Sequence, residues 1–193
     1  MKYFTSDTHF GHRNVIGYCN RPFADVHTMD EAMLTNLQQR LTEDDDLYFL
    51  GDWSMGHHYY ELVKAVPFRH LYFILGNHDK AGKLAKQLEA DSIASKVSIA
   101  KNLTVQIEEQ NFYLVHRPME ASDDMTTLCG HVHEKWLIQK PGAVLREYKH
   151  HQHSEPRTIK QPILNVGVDQ HKFLPISEYE VLDLLKTSIC PIT

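Results

Sequence analysis

Short apolar runs punctuate the chain: Tyr3-Phe4, LYFL at 47–50, LYFIL at 71–75, FYLV at 112–115, TLC at 127–129 and ILNV at 163–166. Each is too short for a helix, rich in aromatic or branched side chains, and bounded by glycine or charged residues. That is the pattern of a strand buried on both faces. Between the early runs the spacing changes. Met33, Leu34, Leu37 and Leu41 recur at helical intervals behind a capping pair, Thr28 and Glu31, which predicts an amphipathic helix over about 29–41 with Met29, Met33 and Leu37 in the core. HHYYELVKAV, beginning at His57, reads as a further helix, and a second capping pair, Ser177 and Glu180, opens one over Val181 to Leu185. Alternating strand and helix in the first half predicts parallel βαβ units, whereas LTVQIEE, the turn EEQN and FYLVH have the pattern of an antiparallel hairpin. The expected class is α/β, a mixed β-sandwich flanked by helices.

With 193 residues, 42% hydrophobic and 23% charged, the chain reads as one globular domain over 1–193. One polar stretch interrupts it, REYKHHQHSEPRTIKQP at 146–162, expected to be a long loop or exposed hairpin. Its histidines, His150, His151 and His153, read as a solvated cluster. The acids outnumber the bases 25 to 20, leaving no positive field to grip duplex nucleic acid. No apolar stretch approaches membrane-spanning length and no leader pattern is visible, so no membrane association is expected. Cys19, Cys129 and Cys190 are odd in number and far apart, which suits reduced thiols in a cytoplasmic protein, Cys19 and Cys129 acting as small buried hydrophobes. What composition leaves to be explained is a total of 14 histidines.

Their positions give the explanation. The residues that follow the apolar runs are SDTH (Asp7, His9), GD (Asp52), GNHD (Asn77, His78, Asp79), His116 and GHVH (His131, His133). In open α/β sheets the carboxyl ends of the strands form the ligand crevice, so segments far apart in sequence converge there. Residues i and i+2 of an extended chain project to one side, which lets Asp7 with His9, and His131 with His133, each reach one metal cluster. Carboxylate, imidazole and amide oxygen without a nearby thiolate suit Mn, Fe, Zn or similar cations better than a structural zinc. Two carboxylates and a hydroxide against two divalent ions leave a net positive site that attracts phosphate.

In order and spacing these blocks resemble the signature of the calcineurin-like metallophosphoesterase superfamily, DxH, GD, GNH[D/E], H and GHxH. SDTHFGHRN, YCNRPF, and LNVGVD followed by PIS resemble its compact single-domain bacterial and phage branch. The resemblance spans roughly residues 3–133, with a weaker match over 163–180. It implies a four-layer αββα fold and two divalent transition-metal ions, with Mn favoured over Fe, Zn or Ni. Asp7, His9, Asp52 and His133 would surround one ion, and Asp52, Asn77, His116 and His131 the other, with Asp52 between them. The implied activity is hydrolysis of a phosphodiester or phosphomonoester by a metal-bridging hydroxide. His78 would protonate the leaving oxygen or stabilise developing charge, with Asp79 holding its imidazole in the useful tautomer. His12, Arg13 and Arg117 are the candidate substrate contacts. Arg117 stands where compact relatives often carry an aromatic residue, and its guanidinium matches phosphate oxygens.

The expected partner is a small phosphorylated, nucleotide-like substrate, since no separate cap domain fits in this length. The competing readings are a noncatalytic protein-interaction scaffold on the same fold and a nuclease acting on short single strands.

Overall fold

The computed structural model describes residues 1–89, 93–146, 148–149, 152–153 and 155–189. The first sheet contains four parallel strands in chain order, β1 (Lys2–Thr5), β2 (Asp46–Phe49), β3 (His70–Ile74) and β4 (Val97–Ala100). Their crossovers carry α1 (Arg13–Tyr18), α2 (Val26–Arg40), a 3-10 segment over His57–Ala65, and α3 (Ala81–Glu89). The strand and helix alternation read from the apolar runs therefore builds parallel units. The His57 segment differs from expectation in winding as a 3-10 helix, behind a Gly56 that offers no side-chain acceptor to its first amides.

The second sheet is mixed. β5 (Asn102–Ile107) and β6 (Gln110–Val115) form the expected hairpin, closed between Ile107 and Gln110 by a two-residue loop whose Glu108 has φ 51°. Beside β6 run β7 (Thr127–Cys129) and, at the far edge, β8 (Ile138–Gln139). Within the polar stretch and just before it, β9 (Val144–Leu145), β10 (Tyr148–Lys149), β11 (Gln152–His153) and β12 (Arg157–Thr158) pair β9 with β12 and β10 with β11, both antiparallel. His150 and His151 lie outside the described residues. β13 (Ile163–Asn165) sits between β7 and β8, parallel to β7. β14 (Ile176–Ser177) returns to the first sheet, antiparallel to β1, and leads into α4 (Glu178–Ile189).

Two capping signals had different outcomes. α2 starts about one turn earlier than the Thr28 and Glu31 pair implies, because Asp25 accepts the Thr28 amide at 2.8 Å and is the N-cap. Ser177 and Glu180 do form a capping box: Ser177 N–H donates to the Glu180 carboxylate at 2.7 Å and Glu180 N–H donates to Ser177 Oγ at 3.3 Å.

Period-two alternation decides the layers. Tyr3, Leu47, Phe49, Leu71 and Phe73 point to one side and pack with Met29, Met33 and Leu37 of α2, with Tyr60 and Val63, and with Leu84 and Leu88 of α3. Phe4, Tyr48, Leu50 and Ile74 point to the other and meet Val105, Ile107, Phe112, Leu114, Leu128 and Leu164 of the second sheet, with α4 closing one edge through Val181, Leu182 and Leu185. The result is a mixed α/β sandwich with helices against its sheets. The outer face of the second sheet, around Cys129 and Ile163, is covered by Leu145 and Ile159 of the short-strand segment, with Met119 and Trp136. Burial on both faces is why the strands read as continuous apolar runs.

Candidate metal centre

The carboxyl ends of β1, β2, β3, β6 and β7 meet. Asp7 N–H donates to Gly51 O at 2.9 Å, His9 N–H to Asp52 O at 3.1 Å, and Gly130 N–H to His116 O at 3.1 Å. These bonds fasten SDTH to GD and GHVH to the His116 strand end, and His131 N–H to Asp7 Oδ2 at 3.0 Å and His78 N–H to Asp52 Oδ1 at 2.9 Å tie in the remaining segments, so that the seven candidate ligands converge. Asp7, His9 and His133 place one potential ligand atom each within 4.8 Å of one another, and Asp52, His116 and His131 form a second such group. Asp52 stands between them, its Oδ2 3.7 Å from His9 Nε2 and 3.3 Å from His116 Nε2. Asn77 Oδ1 is 3.2 Å from His116 Nε2, on the second group's side.

His133 groups with Asp7 and His9, and His131 with Asp52 and His116. The segments are not extended as expected: Asp7, His9, Asp52, His131 and His133 all have φ between 48° and 73°. Left-handed backbone is uncommon for residues other than glycine, and its concentration on five ligand candidates marks strain held in place by the surrounding fold. Glycines provide the room. A Cβ on Gly76 would stand 2.1 Å from Asp52 Oδ1, and one on Gly130 would stand 2.5 Å from Asp7 Oδ2, so at both points backbone passes directly against a carboxylate.

Electrostatically the centre sets buried carboxylates against imidazoles that are shifted in opposite directions. His9 is the clearest case. It is 2% exposed, and neither ring nitrogen has a hydrogen-bond partner, although both carboxylates lie within 4.0 Å of Nε2. Burial pushes its imidazolium down to about 2, so the ring is neutral with a lone pair left uncompensated. A buried polar atom left this way costs about 1–3 kcal/mol, which a divalent cation between His9 and the carboxylates would offset. His116 and His133 go the other way. Burial lowers both, but hydrogen bonding to Asp52 and the charges of Asp7 and Asp52 raise His116 to about 9. The Asp169 hydrogen bond and the Cys19 and Asp7 side chains raise His133 to about 10. Asp52, pushed up by burial, is held well below the usual carboxylate range by His116 and His9. In these pairs protons occupy the role that the donor set offers to a metal.

Two of the candidate ligands are oriented by partners on their far nitrogens. His116 Nδ1 lies 2.7 Å from Leu50 O, which fixes Nε2 toward Asp52. His133 Nδ1 lies 2.8 Å from Asp169 Oδ2, and Asp169 is gripped in turn by Arg21 through Nε at 2.8 Å and Nη2 at 2.9 Å. The Arg21 side chain is fully buried and also donates to Asp7 O at 2.7 Å and Thr8 O at 3.0 Å. One guanidinium therefore braces both the first loop and the His133 partner. Sequence reasoning assigned no role to Arg21 or Asp169. The available signal was their place in YCNRPF and LNVGVD, segments that carry the resemblance without revealing a partner. Cys19, expected to be buried like Cys129, is only half-buried; it packs against the core and stands with His133 and Asp169 in a third compact group.

Asp79 departs from its expected duty. Its Oδ2 accepts the amides of Asp52 at 2.7 Å and Gly76 at 2.9 Å, and its Oδ1 accepts Trp53 N–H at 3.2 Å and the Tyr60 hydroxyl at 3.4 Å. The carboxylate is turned to backbone donors and not to the His78 ring, because the GD and GNHD loops would otherwise leave those amides unpaired. His78 is held differently, its amide donating to Asp52 Oδ1 at 2.9 Å while the side chain remains 40% exposed with Nε2 4.0 Å from Asp52 Oδ2. His12 joins the group, its ring centroid 5.4 Å from His9 and 6.4 Å from His78, with a buried Nδ1 lacking a partner. Arg13 opens α1 on the exposed side, and Arg117 is half-buried just after His116.

No protein-family model matches the chain. The chain is 29% identical over 194 residues to the uncharacterized protein MJ1445 of Methanocaldococcus jannaschii, covering 95% of this chain and 88% of that protein. It shares its fold with AQ665, a protein of unknown function from Aquifex aeolicus, at TM-score 0.65 and 23% identity over 95% of this chain and 98% of the other. A structure described as an archaeal phosphodiesterase aligns at TM-score 0.45 and 15% identity over 86% and 82% of the two chains. No helix among the described residues is long and apolar enough to cross a membrane.

Proposed function

We propose that the chain is a metal-dependent phosphoester hydrolase of the calcineurin-like metallophosphoesterase type, acting on a small phosphorylated substrate. The observation that carries this reading is His9, a buried neutral imidazole without a hydrogen-bond partner, set between the carboxylates of Asp7 and Asp52. Such a group is costly unless a cation completes it. Asp7, His9, Asp52 and His133 would hold one divalent ion and Asp52, Asn77, His116 and His131 a second, with Mn the first candidate and Fe, Zn or Ni compatible with the same donors. Ions bound there supply Lewis acidity toward phosphoryl oxygens and a nucleophile available at neutral pH.

The chain's own residues do the rest. Leu50 O and Asp169 hold His116 and His133 in fixed orientations, so that the lone pairs needed for ligation face the centre. His78 is the exposed imidazole at the rim, anchored by its amide and free to turn its ring toward a leaving oxygen, to which it can donate a proton. His12, beside His9 and His78, is the better placed of the weaker candidates to touch a bound phosphate. The odd, dispersed cysteines suit a reducing compartment such as the cytoplasm.

The test is turnover of p-nitrophenyl phosphate and bis-p-nitrophenyl phosphate by chelator-stripped protein with Mn, Fe, Zn or Ni restored. Hydrolysis that depends on added metal supports the reading, and the ratio between the two substrates assigns diester or monoester preference. Protein that binds metal yet hydrolyses neither would replace it with the noncatalytic scaffold.

A further inference from the structure

Beside the second ligand group lies a pocket of about 170 Å³, walled by Pro118, Met119, His131, Val132, Trp136 and Leu145, with the exposed Lys135 and Arg146 completing its lining. Resting on the phosphoesterase reading, we infer that this pocket is the subsite for a nucleoside base, and that Trp136 makes the enzyme select phosphoesters carrying a flat ring.

Four features point to a ring. The pocket shares His131 with the group formed by Asp52 and His116, so a molecule whose phosphate sits at that group has its ester substituent at the pocket's edge. Its volume is close to the about 150 Å³ of a cavity that accepts benzene, so one ring fits within it. Its lining includes both an indole, Trp136, and a thioether, Met119, side chains suited to a polarisable flat ring. Lys135 and Arg146 add positive charge, which suits a substrate with a further phosphate or electron-rich ring edge.

The pocket is also rigid. Met119 and Trp136 pack on the core formed by Cys129, Leu145, Ile159 and Ile163. Asn165 Nδ2 donates to His133 O at 2.8 Å and to Trp136 O at 3.0 Å, and Gln170 Nε2 donates to His133 O at 2.9 Å, so one turn carries both a metal-ligand candidate and the indole, and two side chains fasten it. A ring bound against Trp136 is therefore placed at a fixed distance from the phosphoryl site, and such preorganisation favours the substrate that fits over one that lacks the ring.

The chain reports on its own pocket by fluorescence, because of its two tryptophans Trp53 is fully buried and Trp136 lines the cavity. Metal-loaded protein is titrated with AMP, with ribose 5-phosphate and with adenosine, affinities being read by calorimetry and tryptophan emission. AMP is expected to bind at least tenfold more tightly than ribose 5-phosphate and to change the emission, adenosine to produce the same change at higher concentration, and Trp136→Leu to erase the tenfold advantage. Thermal midpoint and bound metal confirm that the variant is folded, and Trp136→Phe, which keeps a flat ring, retains part of the advantage. Equal affinities for AMP and ribose 5-phosphate in the native protein overturn the inference. Failure of ribose 5-phosphate and AMP to bind at all, while adenosine still changes the emission, would sink the phosphoesterase reading and leave the pocket assignment standing.

Discussion

Asp169→Asn keeps the shape of the side chain and removes its charge, which separates the two duties of this residue. Arg21 and Asp169 are an ion pair with side chains 0% and 3% exposed, joined by two hydrogen bonds of 2.8 and 2.9 Å. Breaking a buried pair by neutralising one partner costs about 3–5 kcal/mol. Asparagine Oδ1 and the carbonyls of Asp7 and Thr8 still accept from Arg21, so the lower end applies, about 3 kcal/mol. At about 2–4 °C per kcal/mol for a chain of this size, the thermal midpoint of metal-free protein falls by about 6–12 °C. Independently, His133 Nδ1 loses its anionic partner at 2.8 Å, and the loss of such an orienting acceptor lowers metal affinity by about 10–100-fold. That loss belongs to the site of Asp7, His9 and His133, leaving the site of Asp52, His116 and His131 close to its native affinity. Differential scanning calorimetry of stripped protein gives the first number and isothermal titration with Mn the second. A midpoint within about 2 °C of the native one, together with unchanged affinity at both sites, would refute the bracing role.

The other tests address single residues and protonation. His9→Phe removes two unsatisfied buried nitrogens, so metal-free protein keeps or gains stability by about 1 kcal/mol while losing a metal ion; a lowered apo midpoint with full metal content contradicts this. His78→Ala leaves the midpoint and bound metal unchanged and lowers turnover by about 100-fold or more, whereas Asp79→Ala, which strands the amides of Asp52, Trp53 and Gly76, lowers the midpoint first. Equal turnover losses at native stability would restore Asp79 as a partner of the His78 ring. In metal-free protein His116 and His133 titrate near 9 and 10 against an ordinary value of 6.5, so the stability they contribute is present below 6.5 and lost as pH rises through 9 to 10. His9, pushed down to about 2, contributes stability present above 6.5 and lost as pH falls below it. Metal must displace the protons on His116 and His133, so the midpoint shift caused by added Mn grows from pH 6 to pH 9 with proton release on binding. A pH-independent shift refutes that assignment.

Much of the candidate centre was legible because its candidate ligands sit at the ends of apolar runs, where chain order and strand geometry dictate convergence. What could not be read were contacts made by groups with no spacing signal. Arg21 and Asp169 are 148 residues apart and meet only through the fold. Asp79 looked like a partner for the adjacent His78 because adjacency is visible in sequence, whereas the demand of three backbone amides is not. Left-handed backbone at Asp7 and His9 gave the convergence that an extended chain had been expected to give. The start of α2 moved to Asp25 because two segments each carried a capping residue and sequence alone ranks them poorly. The layer order, by contrast, followed directly from alternation in LYFL and LYFIL.

The central claim, that the side chains around Asp52 hold metal ions for phosphoester hydrolysis, is tested most directly by measuring bis-p-nitrophenyl phosphate turnover against equivalents of Mn added to stripped protein and to Asp52→Asn. The account predicts no turnover without metal, a rise that ends at two equivalents per chain, and a flat line for the variant. Turnover that persists in chelator, or that Asp52→Asn retains in full, would contradict it.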